Sequence, residues 1–264
     1  MTNYKVTSHD GVELNVQAYG DSSNPALIFS NSLGTNLSMW QPQVEALKSK
    51  FFIICYDTRG HGDSSSTGSN RWAIDDLGQD VVTILDFLNV DKASFCGISM
   101  GGMTGQWLGI NAPDRFNKIV VSNTAARIGN KEAWDTRAEQ VREQGLSDLA
   151  DSAPGRWFST DFINSNPAVV NSFIAKMKAG SAEGYARCCE ALADADLRED
   201  VSKITVPTLV VGGELDPVTT VDDAKWLGDK IGTNAVIKTI SASHIANIES
   251  ADGFTQLVKQ FLLD

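Results

Sequence analysis

The stretch Cys96-Gly97-Ile98-Ser99-Met100-Gly101-Gly102 joins a strand-like run, Ala93-Ser94-Phe95-Cys96, to a helical one at 103–110. A serine stands at the apex of this turn, with a glycine two residues to either side. A strand-to-helix turn this tight strains the backbone at the serine, and Gly97 and Gly101 lack the Cβ that would clash there. The alternative is a glycine-rich turn that contains a serine by accident. The flanking strand and helix favour the G-x-S-x-G pattern, which holds a serine hydroxyl at a helix N-terminus.

Glycines recur every fourth residue in the helix behind the serine, at Gly101, Gly105 and Gly109. A glycine inside a helix costs about 1 kcal/mol relative to alanine. We therefore expect this smooth helix face to lie close against the sheet.

The composition limits what the chain can be. Its 264 residues suffice for one large α/β domain, and 42% hydrophobic with 21% charged residues is typical of a globular protein. A formal charge of −11 argues against nucleic acid or an anionic membrane surface as a partner. There is no signal-peptide segment, membrane-length apolar run, secreted disulfide framework or CxxC pattern. We expect a reduced, cytoplasmic protein, in which the adjacent Cys188 and Cys189 leave a redox pair open as a minor alternative.

Continuous apolar runs predict strands covered on both faces, as in a parallel sheet flanked by helices. Such runs lie at 26–29 and 51–56, and further strands are predicted at 93–96, 118–122, 207–212 and 235–240. A hairpin is expected from 4–7 and 12–19, and helices at 40–47, 75–88 and 251–262. The alternation predicts an α/β fold with a mostly parallel, doubly wound sheet.

One interval, 123–205, contains no strand signal. Helical segments are predicted there at 134–144, 146–157, 167–178 and 184–193. We expect residues 1–122 and 206–264 to form the core and 123–205 to form a helical lid, inserted after the sixth strand. Such a lid would cover the carboxyl ends of the strands, where ligands bind in open α/β sheets.

A serine nucleophile needs a base, which is usually a histidine held by a carboxylate. His9 lies in the predicted hairpin turn and is expected to be a solvated turn residue. His61 lies in a polar loop after a strand, where a structural hydrogen-bonding role is favoured. His244 follows the last strand and precedes the last helix. The chain order Ser99, acid, His244 is typical of α/β-hydrolases.

The acid is expected after a strand between these two residues. Asp216, just past the run 207–212, is the favoured candidate. Glu214 is the close competitor, whereas Asp222 and Asp223 are assigned to the following helix. The carboxylate would fix the histidine tautomer and stabilise the imidazolium.

Acyl transfer also needs hydrogen-bond donors for the oxyanion. The amide after the nucleophile belongs to Met100, and a second donor is expected from the loop after the strand 26–29. In that loop the amide of Leu33 is our candidate. Each such donor contributes about 3 kcal/mol of transition-state stabilisation. Taken alone, the loop favours an ordinary glycine turn.

Taken together, the residues resemble the α/β-hydrolases and, more narrowly, the 3-oxoadipate enol-lactonases of aromatic catabolism. The serine motif marks the superfamily, and the segments Asn31 to Thr35 and Asn123 to Gly129 are more specific to the lactonases. The resembling segments are Asn31 to Trp40, Tyr56 to Gly62, Phe95 to Gly102, Ser122 to Gly129 and Ala242 to Glu249. The segment Gly212 to Pro217 matches only the general superfamily pattern, so the acid is the least supported member of the triad.

The resemblance implies hydrolysis of a five-membered enol lactone bearing an acetate arm, a step of the β-ketoadipate pathway. Ser99 would attack the ring carbonyl, His244 would take its proton, and water would release 3-oxoadipate. This chemistry needs no metal and no organic cofactor. The partners implied are a small anionic lactone and water.

The anionic arm needs a local cation in so acidic a protein. Arg127 follows the sixth strand, and its planar fork suits a carboxylate, although a solvated arginine on a lid helix is an equal alternative. Trp134 is a candidate pocket wall, with a core position as the alternative. Arg137, Arg156 and Trp157 are further lid candidates without a ranking.

Two rival functions share these residues. One is a general carboxylesterase or cofactor-free perhydrolase with the same triad, which only a substrate panel would separate. The other is a ligand receptor of the same fold, because fold does not imply activity.

Overall fold

A computed structural model describes residues 1–67 and 71–264 of the chain. It contains one sheet of eight strands in the order β1-β2-β4-β3-β5-β6-β7-β8. The strands are β1 Thr2–Thr7, β2 Glu13–Tyr19, β3 Ala26–Ser30, β4 Phe52–Tyr56, β5 Ala93–Ile98, β6 Phe116–Ser122, β7 Thr208–Gly213 and β8 Ala235–Ile240. The first two form the predicted hairpin, and β2 pairs antiparallel with β4. All later pairings are parallel, so the carboxyl ends of β3 to β8 lie at one edge of the sheet.

Helices pack on the sheet between the strands, as the alternating pattern predicts. They are α1 Gln41–Leu47, α2 Ile74–Phe87, α3 Met100–Asn111, α10 Val221–Ile231, α11 Ala246–Glu249 and α12 Ala251–Leu263. Short 3-10 helices occupy Leu37–Trp40, Pro113–Arg115, Val201–Lys203 and Gly232–Asn234. The sheet strands β3, β5 and β7 are buried along their whole length, in agreement with their continuous apolar runs.

Six helices stand between β6 and β7. They are α4 Lys131–Gln144, α5 Ser147–Asp151, α6 Pro154–Trp157, α7 Thr160–Ser165, α8 Pro167–Lys178 and α9 Ala182–Asp194. The predicted segment 146–157 is two short helices rather than one, because Pro154 cannot donate a backbone hydrogen bond and stands at the start of the second. The sequence prediction missed α7, whose N-terminus is capped by the Ser159 side chain.

The glycine face of α3 lies against the sheet as expected. A Cβ on Gly101 would stand 2.3 Å from the carbonyl oxygen of Ser30, at the end of β3. A Cβ on Gly105 would stand 2.6 Å from the Phe95 ring, and one on Gly109 3.1 Å from Ile204. Only glycine allows the helix to approach this closely, and the approach brings the N-terminus of α3 to the carboxyl edge of the sheet.

No helix in the described part of the chain has both the length and the apolar character that a membrane crossing requires.

Candidate active site

Ser99 occupies the sharp turn between β5 and α3 in a strained conformation. Its backbone has φ 58° and ψ −116°, a region that non-glycine residues rarely adopt. The strain is held from both sides, because the Ser99 amide donates to the Ser122 carbonyl at 3.0 Å and the Ser99 carbonyl accepts from the Thr124 hydroxyl at 2.8 Å. A Cβ on Gly97 would stand 2.2 Å from the Gly101 carbonyl oxygen. Gly97 is therefore required by the turn itself, and Gly101 by the close approach of the helix to the end of β3.

His244 and Asp216 meet at the carboxyl ends of β7 and β8. The Nδ1 of the imidazole lies 2.8 Å from Oδ2 of the carboxylate, and both side chains are buried. An ionised carboxylate can only accept, so Nδ1 carries the proton and the Nε2 lone pair is available. Glu214, the competing acid, is exposed and accepts from the Thr239 hydroxyl instead. Asp223 belongs to α10, where it completes an N-terminal cap with Thr220.

The Asp216 carboxylate is surrounded by donors. Its Oδ1 accepts from the amides of Val218 and Thr219, and its Oδ2 also accepts from the Thr219 hydroxyl and the Asn123 side chain. Burial alone would raise the pKa of Asp216, but the hydrogen bond and charge of His244, together with these other donors, hold the pKa below its usual value. The acid is thus kept ionised beside the imidazole.

Asn123 is a site residue that the sequence analysis did not single out. Its side-chain amide donates both to Asp216 at 3.0 Å and to the Ser243 carbonyl at 3.1 Å, joining the acid loop to the histidine loop. Its backbone has a positive φ of 48°. The available signal was its position directly after β6, where the strand ends at the ligand-binding edge of the sheet.

Ser99 and His244 line one pocket under the helices that follow β6. Within the described ranges, no hydrogen bond joins the serine hydroxyl to the imidazole. Such bonds between a nucleophile and its base are often long in the free enzyme and shorten when a substrate is bound. The structure therefore brings all three predicted side chains to one place.

Of the two predicted oxyanion donors, Leu33 lines this pocket and Met100 directly follows Ser99 in the chain. Met100 is the first residue of α3, whose opening amides have no intrahelical partner. Among the described residues, neither backbone amide donates a hydrogen bond. The loop is fixed by Asn31, whose carbonyl accepts from the Gly101 amide at 3.0 Å and whose side chain donates to the Tyr56 carbonyl at 2.7 Å. Two amides are thus held free at the nucleophile.

The remaining lining of the pocket is largely apolar, with a few polar groups. Ser32, the residue before Leu33, is one of these polar groups, and it was not among the predicted site residues. The other lining residues are Ile128, Trp134, Arg137, Arg156, Trp157, Met177, Tyr185, Leu192 and Val218. An apolar pocket with a few convergent polar groups is typical of a small-molecule site.

Arg137 and Arg156 distinguish this pocket electrostatically. Neither forms an ion pair with a carboxylate in the described residues, whereas every other arginine there does. Burial lowers the pKa of Arg156, and the positive charge of Arg137 lowers it further. The guanidinium of Arg137 lies 5.0 Å from the centre of the Trp134 ring. Two positive charges without a carboxylate partner in the described residues therefore line the pocket of a strongly acidic protein.

Of the two predicted substrate-binding residues, the structure brings one to the pocket. Trp134 lines it, and its indole donates to the Ile128 carbonyl. Arg127 instead lines a separate surface pocket beside Arg198 and Trp226, and it pairs with Asp196 at 3.3 Å. The sequence expectation for Arg127 is thus not met by its position, because this side chain lines a different pocket from that of Ser99.

One group of described residues has metal-ligand chemistry. His9, Asp10 and Asp76 place ligand atoms within 4.8 Å of one another. Asp10 already pairs with Arg59, and Asp76 accepts from the Ala73 amide, so these carboxylates serve the loops that carry them. None of the three lines the Ser99 pocket.

All four cysteines are free and buried. Burial raises the pKa of each thiol. The adjacent Cys188 and Cys189 are therefore held as neutral thiols inside the fold.

Comparisons with known proteins agree with this geometry. The family model described as alpha/beta hydrolase fold matches residues 25–251. Two curated relatives from Acinetobacter baylyi are 3-oxoadipate enol-lactonase 2, 51% identical over 96% of this chain and 94% of that protein, and 3-oxoadipate enol-lactonase 1, 46% identical over 97% and 96%. The crystal structure of the enol-lactonase from Burkholderia xenovorans LB400 superimposes with a TM-score of 0.95 at 40% identity, covering 99% of this chain and all of that one. The chain belongs to the alpha/beta hydrolase family and, within it, to the 3-oxoadipate enol-lactonases.

Proposed function

We propose that this protein is a carboxylic ester hydrolase that opens 3-oxoadipate enol-lactone to 3-oxoadipate. The observation that carries the proposal is the pairing of two features in one pocket. Ser99 and His244 line this pocket, and so do Arg137 and Arg156, whose guanidinium groups have no carboxylate partner among the described residues. The first pair suits an ester carbonyl, and the second suits the carboxylate that this lactone carries on its acetate arm.

In the acylation step, Ser99 Oγ attacks the ring carbonyl while Nε2 of His244 accepts its proton. The carbonyl oxygen becomes an oxyanion, which the amides of Leu33 and Met100 stabilise. Because Asp216 holds the Nδ1 proton, the imidazole presents the correct tautomer and its cationic form is stabilised. Each oxyanion donor contributes about 3 kcal/mol to the transition state.

Collapse of the tetrahedral intermediate breaks the bond between the acyl carbon and the ring oxygen. The departing oxygen is part of an enol, which is a better leaving group than an ordinary alkoxide, and it stays tethered to the acyl chain. Proton return converts it to the enol, which tautomerises to the ketone. Water, deprotonated by His244, then attacks the acyl-enzyme, and the proton passes to Ser99 as 3-oxoadipate leaves. Only the lactone and water are consumed in this sequence.

Arg137 and Arg156 are proposed to bind the acetate carboxylate in place of Arg127. Charge-assisted hydrogen bonds to a carboxylate are stronger than neutral ones, and two guanidinium groups also offset the repulsion from the net charge of −11. Trp134 would hold Arg137 in place through the ring contact at 5.0 Å. Burial raises the pKa of the Tyr185 phenol, so its hydroxyl is a further neutral donor in the pocket.

Residues 123–205 are proposed to act as a lid over a core made of 1–122 and 206–264. The support is their position, since α4 and α6 carry the arginines while the catalytic side chains stand on the sheet edge. The Ile245 amide donates to the Trp157 carbonyl at 2.9 Å, which ties this helical segment to the histidine loop.

A substrate panel tests the proposal. The purified protein is given 3-oxoadipate enol-lactone, its methyl ester at the acetate arm, and 4-nitrophenyl acetate, with Ser99→Ala as the control. We expect the free acid to have by far the highest kcat/KM and the Ser99→Ala variant to turn over none of the three. Equal rates on all three would favour a general carboxylesterase. Binding without turnover by the parent protein would favour a receptor.

A further inference from the structure

His61 is a buried histidine that the proposed chemistry does not use, yet it contacts the oxyanion loop directly. Its Nε2 lies 3.0 Å from the backbone amide of Gly34, the residue after Leu33. Its Nδ1 lies 3.2 Å from the carbonyl of Arg59. An amide can only donate and a carbonyl can only accept, so Nε2 is the acceptor and Nδ1 carries the proton. The imidazole therefore bridges two loops in one defined tautomer.

The segment that His61 holds is a tight turn. The Thr35 amide donates to the Ser32 carbonyl at 3.2 Å, and Gly34 has φ +78°, which together are typical of a type II turn with glycine at its third position. The central peptide of such a turn, here between Leu33 and Gly34, is the part that can rotate to give the alternative turn type. The Gly34 amide belongs to this peptide, so a fixed acceptor at Nε2 selects its orientation.

The acceptor itself is anchored from the opposite side. The guanidinium of Arg59 is fully buried and bonded by two nitrogens to Asp80, at 2.7 and 2.6 Å, and it also pairs with Asp10. The Arg59 carbonyl also accepts from the Cys188 thiol of α9. His61 thus connects a rigid ion-pair network to the turn that carries Leu33.

We infer that His61 is a positioning residue for the oxyanion hole, acting through the Gly34 amide on the turn that presents Leu33. It touches neither the nucleophile nor the proposed base. Its effect is to keep the Leu33 amide aimed at the place where the oxyanion forms. This inference rests on the proposed role of Ser99 as nucleophile and on Leu33 as an oxyanion donor.

The test compares His61→Leu, which removes the acceptor, with His61→Gln, whose side-chain oxygen can reach the Gly34 amide. Activity is measured on 4-nitrophenyl acetate and on the enol lactone, and each rate is divided by the number of sites titrated with a fluorophosphonate. That division separates slower sites from fewer folded molecules. Affinity for a small alkyl boronic acid, which forms a tetrahedral adduct on Ser99, is measured beside that for 3-oxoadipate, a ground-state ligand.

For His61→Leu we expect kcat per titrated site to fall by about 30-fold. This effect is larger than that of losing an ordinary hydrogen bond and smaller than that of losing a whole oxyanion donor. Boronate affinity should fall by a similar factor, while KM and the affinity for 3-oxoadipate change by less than about threefold. His61→Gln should recover most of the rate. An unchanged kcat per site, or a lower kcat with unchanged boronate affinity, would overturn the inference.

If His61→Leu does not fold, His61→Asn replaces it, because the shorter side chain cannot reach the Gly34 amide. The expected order of kcat is then wild type, His61→Gln, His61→Asn, and equal rates for the two variants would refute the positioning role. Failure of the proposed function is recognised separately. In that case the wild-type protein does not hydrolyse the lactone, whereas the ester and boronate comparisons still report on His61 so long as Ser99 reacts.

Discussion

The carboxyl edge of the sheet and the helices after β6 handle polar groups in opposite ways. At the sheet edge, Asp216 receives hydrogen bonds from four different residues, and the imidazole of His244 is fixed by one of them. Under the helices, Arg137 and Arg156 stand without a carboxylate partner in the described residues. A saturated network holds a geometry, whereas unpaired charges attract a ligand that supplies the missing partner. The difference supports the proposed division, in which the sheet edge carries out the reaction and the helices after β6 select the substrate.

The largest effect is expected from substitutions that break the hydrogen-bond network at the sheet edge. Ser99→Ala and His244→Ala should each lower kcat by about 10⁶-fold, because the two residues act as a unit, and Asp216→Asn by about 10⁴-fold through loss of the correct tautomer. Steady-state kinetics on the enol lactone measures this. Glu214→Gln is the matched control, since that carboxylate is exposed, and it should keep nearly full activity. A mild His244→Ala phenotype would contradict the arrangement.

The second effect concerns packing in the same two regions. Gly101→Ala should destabilise the protein by about 3 kcal/mol, because the new Cβ would press on the Ser30 carbonyl oxygen at 2.3 Å. Gly155→Ala in α6 is the control, since nothing stands within 4 Å of its Cβ position, and it should leave stability unchanged or slightly higher. Urea unfolding of both variants measures the difference. Equal stability for the two would show that α3 can move away from the sheet at no cost.

The third effect distinguishes substrate binding by the arginines from the chemical step at Ser99. Arg137→Gln and Arg156→Gln should each raise KM for the anionic lactone by about 30-fold, the usual range for a hydrogen bond to a charged group. Neither should change kcat/KM on neutral 4-nitrophenyl acetate appreciably. Arg127→Gln is the matched control, because this arginine pairs with Asp196 in another pocket. If Arg127→Gln raised KM instead, the assignment of the carboxylate site to Arg137 and Arg156 would be wrong.

The smallest effect is a pH dependence carried by His61. Burial lowers its pKa from 6.5 to about 4, and the bond to the Arg59 carbonyl opposes this only in part. Between pH 6.5 and pH 4 the imidazole of His61 is protonated in the unfolded chain but neutral in the folded protein. The contribution of His61 to the free energy of unfolding is therefore complete above pH 6.5 and decreases as the pH falls towards 4. Between pH 7 and pH 5.5 the loss is about 1 kcal/mol.

The measurement is the free energy of unfolding of wild type minus that of His61→Gln across this range. Neighbouring groups, chiefly Cys188, Tyr185 and the Arg59 pair with Asp80, are common to both proteins and cancel in the difference. A difference that does not vary with pH would show that His61 is not held neutral by burial.

Much of the fold followed from local patterns. The run into Ser99 identified a strand, a turn and a helix, because Gly97 is required by the turn and Gly101 by the packing of the helix on β3. Continuous apolar runs identified the central strands, since a strand buried on both faces needs no alternation. Chain order placed the acid and the histidine, because parallel strands present their carboxyl ends at the same edge. The sequence could not place Asn123 in the network, as its two partners, Asp216 and the Ser243 carbonyl, lie far along the chain.

By itself, the sequence determined the alpha/beta hydrolase architecture and the catalytic candidates Ser99, Asp216 and His244, since local spacing and order along the chain set both. Only the tertiary structure decided which arginines of the helices after β6 line the Ser99 pocket and that His61 bonds to the Gly34 amide. A side chain on an amphipathic helix has a direction only once that helix is packed, and periodicity alone cannot say which pocket it enters. For that reason Arg127 resembled the carboxylate ligand in the sequence, while packing brought Arg137 and Arg156 to the pocket.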